Sequence, residues 1–345
     1  MIGPMALPSH HEGPSTWVGT EIQDDPSWVL HFDDAMITEL DDGLARAERD
    51  GLTVPFDPSS FPLQRCGALI DQALALLDDG PGLALVRGLP RERYTDEQCE
   101  LLYWAFATHI GTPISQNSMG HLIGHVRDTG QSFEKTNVRA YQTNAKLDYH
   151  ADQIPVEVLG LFCLRTAMHG GESKIVSATT IHNTIRDERP DLLQVLYEPY
   201  HLDWRDEQPE GEPGWYTQPL YSVADGKLCS RFTSLAYFRT VDRFGAELAM
   251  SNEQVDALEF VQEVANRPGM ALSMDFQEGD MQFLNNHVML HAREGFEDHA
   301  DPALRRHLLR LWVGYPPERR RPLSDQLAGR YRWVEMGGIP ARPPA

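Results

Sequence analysis

Fourteen histidines occur in this 345-residue chain, and four of them open a His-x-Asp triplet: His31–Asp33, His150–Asp152, His201–Asp203 and His299–Asp301. Side chains at i and i+2 of an extended segment project to the same side, so an imidazole and a carboxylate at this spacing can take adjacent positions on one metal ion. One further histidine from elsewhere completes a two-histidine, one-carboxylate face, a donor set suited to ferrous iron that leaves three coordination positions open.

Context separates the four pairs. His31–Asp33 precedes any strand core and lies in a Pro-rich stretch, which suits surface or capping residues. His201–Asp203 adjoins the polar run Trp204 to Gly214, and His299–Asp301 sits in an acidic turn, so both suit solvated roles. His150–Asp152 differs: an apolar strand-like run begins shortly after it and ends in His169-Gly170-Gly171-Glu172-Ser173, as expected for a metal pair at the mouth of a barrel. The third ligand is expected from a later strand, where Asn285 to Arg293 offers His287 and His291. On a helix both would share a face; on a strand and turn, one alone would reach the metal. Beyond them, arginines interrupt the otherwise apolar run to Val313. A guanidinium inside a barrel needs an anion, and its planar fork matches the far end of a dicarboxylate. A salt bridge to one of the 51 acidic residues is the plainer alternative.

The elements that must position these groups are legible in outline. Residues 1–62 read as an irregular N-terminal arm with a helix or two. Apolar residues Cys66, Ile70, Ala73, Leu74 and Leu77 recur at mostly helical spacing, and Leu83 to Val86 reads as a buried strand. Thr95 to Gln98 forms a capping box before a helix that Gly111 and Pro113 end. Strand-like runs follow at His121 to Val126, Val156 to Arg165 and Ser173 to Ser177. A helical and loop insertion spans about 179–266, with a second capping box at Ser251 to Gln254, before strands resume at Ala271, Met281 and Leu308. Strands without regular crossover helices favour a mostly β core with flanking helices (α+β), a jelly roll or barrel, over a doubly wound sheet. The main domain spans 63–320, and 321–345 reads as a C-terminal tail.

Composition narrows the partners. Thirty Lys and Arg against 51 Asp and Glu give a formal net charge of −21, which disfavours nucleic acid and anionic membrane. Four scattered cysteines, Cys66, Cys99, Cys163 and Cys229, spell neither a zinc ribbon nor a disulfide framework, and point to a reduced, cytoplasmic setting. No 18-residue apolar run occurs. Self-association into a homo-oligomer stays open.

The order HADQ (150–153), GGES (170–173), NNHVMLHAREGF (285–296) and RRHLLRLWV (305–313) resembles the TauD/TfdA family of Fe(II)- and 2-oxoglutarate-dependent dioxygenases. GLALVRGLP (82–90) and IGTPISQN (110–117) resemble that family's N-terminal portion, so the likeness runs from about 65 to 318. The resemblance implies a double-stranded β-helix core, with His150, Asp152 and His291 as metal ligands. It further implies Ser173 and Arg306 at the distal carboxylate of 2-oxoglutarate, and Arg310 touching cosubstrate or an anionic substrate. His287 falls on a position that is not usually a ligand. The implied reaction uses O2 to hydroxylate, desaturate or cyclise a small polar or anionic metabolite, releasing succinate and CO2. Specificity is expected around Gln116 to Ser118, Asn144 to Tyr149 and the aromatics Trp204, Trp215, Tyr216 and Tyr237. The alternatives are a zinc hydrolase built on the same three ligands and a non-catalytic jelly-roll binding or sensor module.

Overall fold

The computed structural model describes residues 8–131, 139–208 and 210–341. Residues 1–7 of the expected arm, 342–345 of the expected tail, and Pro209 of the polar loop lie outside them.

Two sheets form the core. The larger follows the order Val29–His31, Leu83–Arg87, Met281–Asn285, Val158–Arg165, His307–Gly314, Thr112–Ile114, with Gly124–Val126 also paired to His307–Gly314. The smaller runs Leu272–Met274, Ser173–Ser177, Met289–Arg293, Leu147–His150, antiparallel throughout. This is the expected jelly roll, a double-stranded β-helix with helices on its flanks.

Period-two alternation decides what each sheet face meets. In Val158–Arg165, Val158, Phe162 and Leu164 join the core shared with the Gly67–Asp78 and Asp96–Ile110 helices, and Leu309, Leu311 and Val313 do the same from the neighbouring strand. Leu159 and Trp312 face the other way, into a core shared with Ile175 and Met289 of the smaller sheet. The helix side packs closely enough that a Cβ at Gly160 would lie 2.4 Å from the Tyr103 hydroxyl, so a larger residue there would push the helix away. The outer face of the smaller sheet, Tyr149, Val176, Leu290 and Ala292, is covered by the Ala178–Glu188, Pro190–Leu196 and Asn252–Ala265 helices. The Asn252–Ala265 helix opens on the expected Ser251/Gln254 capping box, and Thr95/Gln98 caps Asp96–Ile110 in the same way.

The two ends of the chain are more ordered than their composition suggests. Val29–His31 adds a parallel edge strand to Leu83–Arg87. Asp33 caps the 17-residue helix Asp34–Asp50, whose Leu40, Leu44 and Ala47 pack into the core with Phe56 and Phe61. Residues expected to form a tail instead carry the Asp325–Glu335 helix, which buries Leu327, Arg330, Tyr331, Trp333 and Val334. It docks through a hydrogen bond from the Tyr331 hydroxyl to Glu157, 2.6 Å long, just before the Val158–Arg165 strand. No described helix is long and apolar enough to cross a membrane.

Candidate active site

His150 ends its strand directly opposite His291 on the neighbouring one, and their ring centroids are 4.1 Å apart. Asp152 lies two residues on, where the buried Asn286 side chain accepts the Asp152 N–H at 2.9 Å and donates back to the Asp152 carbonyl at 3.0 Å. That clamp sets the carboxylate beside the two rings. One ligand atom from each of His150, Asp152 and His291 lies within 4.8 Å of the others.

Electrostatics keeps the three groups in ligand form. Burial alone would raise the Asp152 carboxyl; the Arg310 guanidinium, the two imidazoles and the Trp312 indole outweigh it and hold it below the usual carboxylate range. Arg310 Nη1 approaches Asp152 Oδ1 at 3.3 Å. Desolvation lowers His150 despite Asp152 nearby, and desolvation together with His150 pushes His291 down to about 3. Two neutral imidazoles and one carboxylate fit a ferrous ion.

A second set of groups lies along the same inner face. Ser173 is paired with Arg293, two residues along from the Ile175–His291 pair, so it sits roughly 7 Å down the strand from the metal-facing histidine. Ser173 Oγ donates to Gln282 Oε1 at 3.3 Å, while Gln282 Nε2 is buried without a partner. Arg306 is only 5% exposed and its Nη1 also lacks a partner. Burial pushes Arg306 down to about 10, and burial plus Arg306 pushes Arg293 down to about 9. Both guanidinium groups lie over the Phe296 ring, at 5.2 and 4.7 Å. Arg306 makes no ion pair among the described residues, whereas Arg310, the arginine that interrupts the apolar strand, pairs with Asp152 at 3.3 Å, as the plainer salt-bridge expectation has it. Unfilled donors beside two buried cations fit a dicarboxylate.

His150 and Asp152 open on a cavity of about 300 Å³, lined by Gln116, Tyr141, Trp204, Tyr216, Tyr237 and Trp312 among others. Arg310 sits over Tyr141 at 4.5 Å and donates to Gln116 Oε1 at 2.7 Å.

Of the residues expected at the cavity, Gln116, the stretch 145–148, Trp204, Tyr216 and Tyr237 line it. Trp215 instead packs on His201 at 5.0 Å. His287 stays outside the triad, buried with its Nδ1 2.6 Å from Arg231. Asp203 corrects the expectation of a solvated role: it is fully buried and holds Arg243 through both carboxylate oxygens. Arg139, Tyr141, Arg293, Trp312 and Arg330 escaped sequence reasoning. Trp312 and Arg293 could have been found by period-two register with Arg310 and His291.

Two stacked sheets presenting this three-residue face at the foot of a cavity define a double-stranded β-helix protein built to hold one non-haem iron. Residues 48–312 match the family described as "Taurine catabolism dioxygenase TauD, TfdA family", and the chain belongs to that family. It is accordingly an Fe(II)- and 2-oxoglutarate-dependent dioxygenase. It is 33% identical over 327 residues to "FR-33289 synthase" of Streptomyces rubellomurinus (strain ATCC 31215), covering 93% of this chain and 94% of the relative. It is 28% identical over 306 residues to "Taurine hydroxylase-like protein SAT17" of Stachybotrys chartarum (strain CBS 109288 / IBT 7711), covering 86% and 77%. Its fold is also similar to that of asparagine oxygenase in complex with Fe(II), 2S,3S-3-hydroxyasparagine and succinate, with a TM-score of 0.61, 16% identity and coverage of 83% and 93%.

Proposed function

We propose that the chain hydroxylates a small polar or anionic metabolite, with His150, Asp152 and His291 holding the iron. The convergence of these three groups within 4.8 Å, two of them lining the cavity, carries the reading. Bound Fe(II) and 2-oxoglutarate supply the oxidising power, turning O2 and the keto acid into succinate, CO2 and an oxidised substrate carbon. The protein's own residues do the rest. Arg306, supported by Arg293, Ser173 and Gln282, grips the far carboxylate of 2-oxoglutarate. Arg310, steered by Gln116, and the Trp312 indole keep Asp152 ionised and aimed. Trp204, Tyr216, Tyr237 and Tyr141 wall the cavity, exclude water and orient the substrate. One similar protein is named for taurine and another for asparagine, which supports a small polar substrate.

The test is a panel of small acids and amino acids added with Fe(II), 2-oxoglutarate and O2, read as substrate-stimulated succinate release. Stimulation by one or more members, dependent on iron, is expected; no succinate from any member, and no iron-dependent binding of 2-oxoglutarate, would overturn the reading.

A further inference from the structure

Four cations line the cavity: Arg139, Lys146, Arg310 and Arg330. Three have a carboxylate partner. Arg139 pairs with Glu207, Lys146 lies 3.7 Å from Glu294, and Arg310 lies 3.3 Å from Asp152. Arg330, on the Asp325–Glu335 helix, has none among the described residues, although it is 8% exposed.

Its surroundings hold the guanidinium in one pose. The plane lies over the Tyr216 ring at 3.8 Å and near the Trp204 ring at 5.2 Å. Nη1 donates to Gln218 Oε1, and Gln218 Nε2 donates in turn to Gln153 Oε1 at 2.7 Å. Gln153 directly follows Asp152, so this chain of side chains ties Arg330 to the triad segment. The opposite edge, Nε and Nη2, is buried and has no acceptor among the described residues.

Three arginines elsewhere in this protein grip carboxylates with that edge, while Arg165 and Arg267 use the Nη1/Nη2 end on Asp96 and Glu188. Nε and Nη2 of Arg87 hold both oxygens of Asp280 at 2.9 and 2.7 Å. Those of Arg189 hold Asp191 at 2.9 and 2.6 Å, and those of Arg243 hold Asp203 at 2.9 and 3.0 Å. A buried guanidinium left without an anion is costly, and an incoming oxyanion removes that cost while gaining two parallel hydrogen bonds.

We propose that Arg330 is a specificity-determining residue that anchors an oxyanion of the primary substrate, a phosphonate, sulfonate or carboxylate, through its Nε/Nη2 edge at the wall of the cavity. The proposal rests on the oxygenase reading for what happens to the bound molecule, but the anchoring itself needs no iron. Because the edge is dry, the Tyr216 or Trp204 ring must give way as the anion arrives. A cationic group is rejected at the same place by the fixed positive charge.

The experiment is calorimetric titration of the full chain, loaded anaerobically with Fe(II) and 2-oxoglutarate, with propane-1-phosphonate, propane-1-sulfonate, butyrate, butyramide and butylamine. At least one of the three anions should bind at least about tenfold more tightly than butyramide, with butylamine weakest. Arg330→Gln should erase that preference, and Arg330→Lys, which keeps the charge but loses the fork, should weaken the preferred anion by at least about fivefold. Butyramide binding as tightly as every anion, Arg330→Gln retaining the preference, or Arg330→Lys binding the anion as tightly as the unaltered chain would each overturn the assignment. Circular dichroism checks folding; should Arg330→Gln not fold, the Lys variant and the anion-to-amide ratio decide. The same titrations without iron and 2-oxoglutarate separate the two ideas. Failure of iron-dependent 2-oxoglutarate binding sinks the oxygenase reading, whereas loss of the Arg330-dependent preference in both states sinks this one.

Discussion

The Trp312 indole Nε1 donates to Oδ2 of Asp152 at 2.5 Å, leaving Oδ1 to face Arg310. The carboxylate is thereby oriented by two side chains of one strand, two residues apart on its inner face. Trp312→Phe keeps the ring and deletes the N–H. Iron affinity, measured by competition with a chelator, should fall by roughly 10- to 100-fold, with 2-oxoglutarate affinity in the iron-free protein little changed.

Asp152→Ala removes one of the three proposed ligands outright. Iron-dependent consumption of 2-oxoglutarate should fall by more than the roughly 100-fold typical of a lost supporting residue, while far-ultraviolet circular dichroism stays that of the folded chain. Undiminished consumption would refute the ligand set.

The two arginines of the His307–Gly314 region should respond unequally. Arg306 has an unfilled, buried donor, whereas Arg310 is already committed to Gln116 and Asp152. Arg306→Leu should weaken 2-oxoglutarate binding by roughly 30-fold or more, and Arg310→Leu by less. An equal or reversed ranking in a titration would reassign the distal carboxylate to Arg310.

Gly171 gives a backbone test of the same pocket. It adopts φ +81°, and a Cβ there would lie 3.2 Å from Arg306 Nε. Gly171→Ala should cost about 1–2 kcal/mol of stability from the left-handed conformation and reduce 2-oxoglutarate affinity by displacing Arg306, both readable from thermal melts with and without the ligand.

His182 predicts a pH dependence away from the triad. Burial pushes it down to about 4, and its Nε2 lies 2.8 Å from the Tyr197 hydroxyl. Above about pH 6.5, both folded and unfolded states carry it neutral, and it contributes no slope. Between pH 6.5 and 4 the unfolded chain takes up the proton and the folded one resists, so stability falls with falling pH by up to about 1.4 kcal/mol per unit. Urea unfolding at pH 7, 6 and 5 should show a slope to which the other buried histidines also contribute, and His182→Gln should reduce it by up to about 1.4 kcal/mol per unit.

The triad was legible because its information is local: His150 and Asp152 are two apart, and His291 sits in a short segment of strand signals. Ser173 and Arg306 became readable through family resemblance and then through their unfilled surroundings. Asp203 was read as solvated because the residue that neutralises it, Arg243, lies 40 positions away. The N-terminal strand is three residues long, too short for a period to show. The Asp34–Asp50 helix is rich in acidic and basic residues and buries only one stripe, so a helix was expected in this arm but not its place or its 17-residue length. Arg330 offered no local signal: its meaning comes from Tyr216, Trp204 and Gln218, more than a hundred positions upstream.

The helix Asp325–Glu335 brings Arg330 to the cavity wall and meets the two-sheet core through Glu157, apolar contacts and the Gln218–Gln153 relay, while His150, Asp152 and His291 all lie outside it. Oxidising machinery and molecular taste are thus mounted on different stretches of polypeptide. An engineer could graft another terminal helix onto this scaffold and redirect which compound is consumed, without retuning the ligands that activate oxygen.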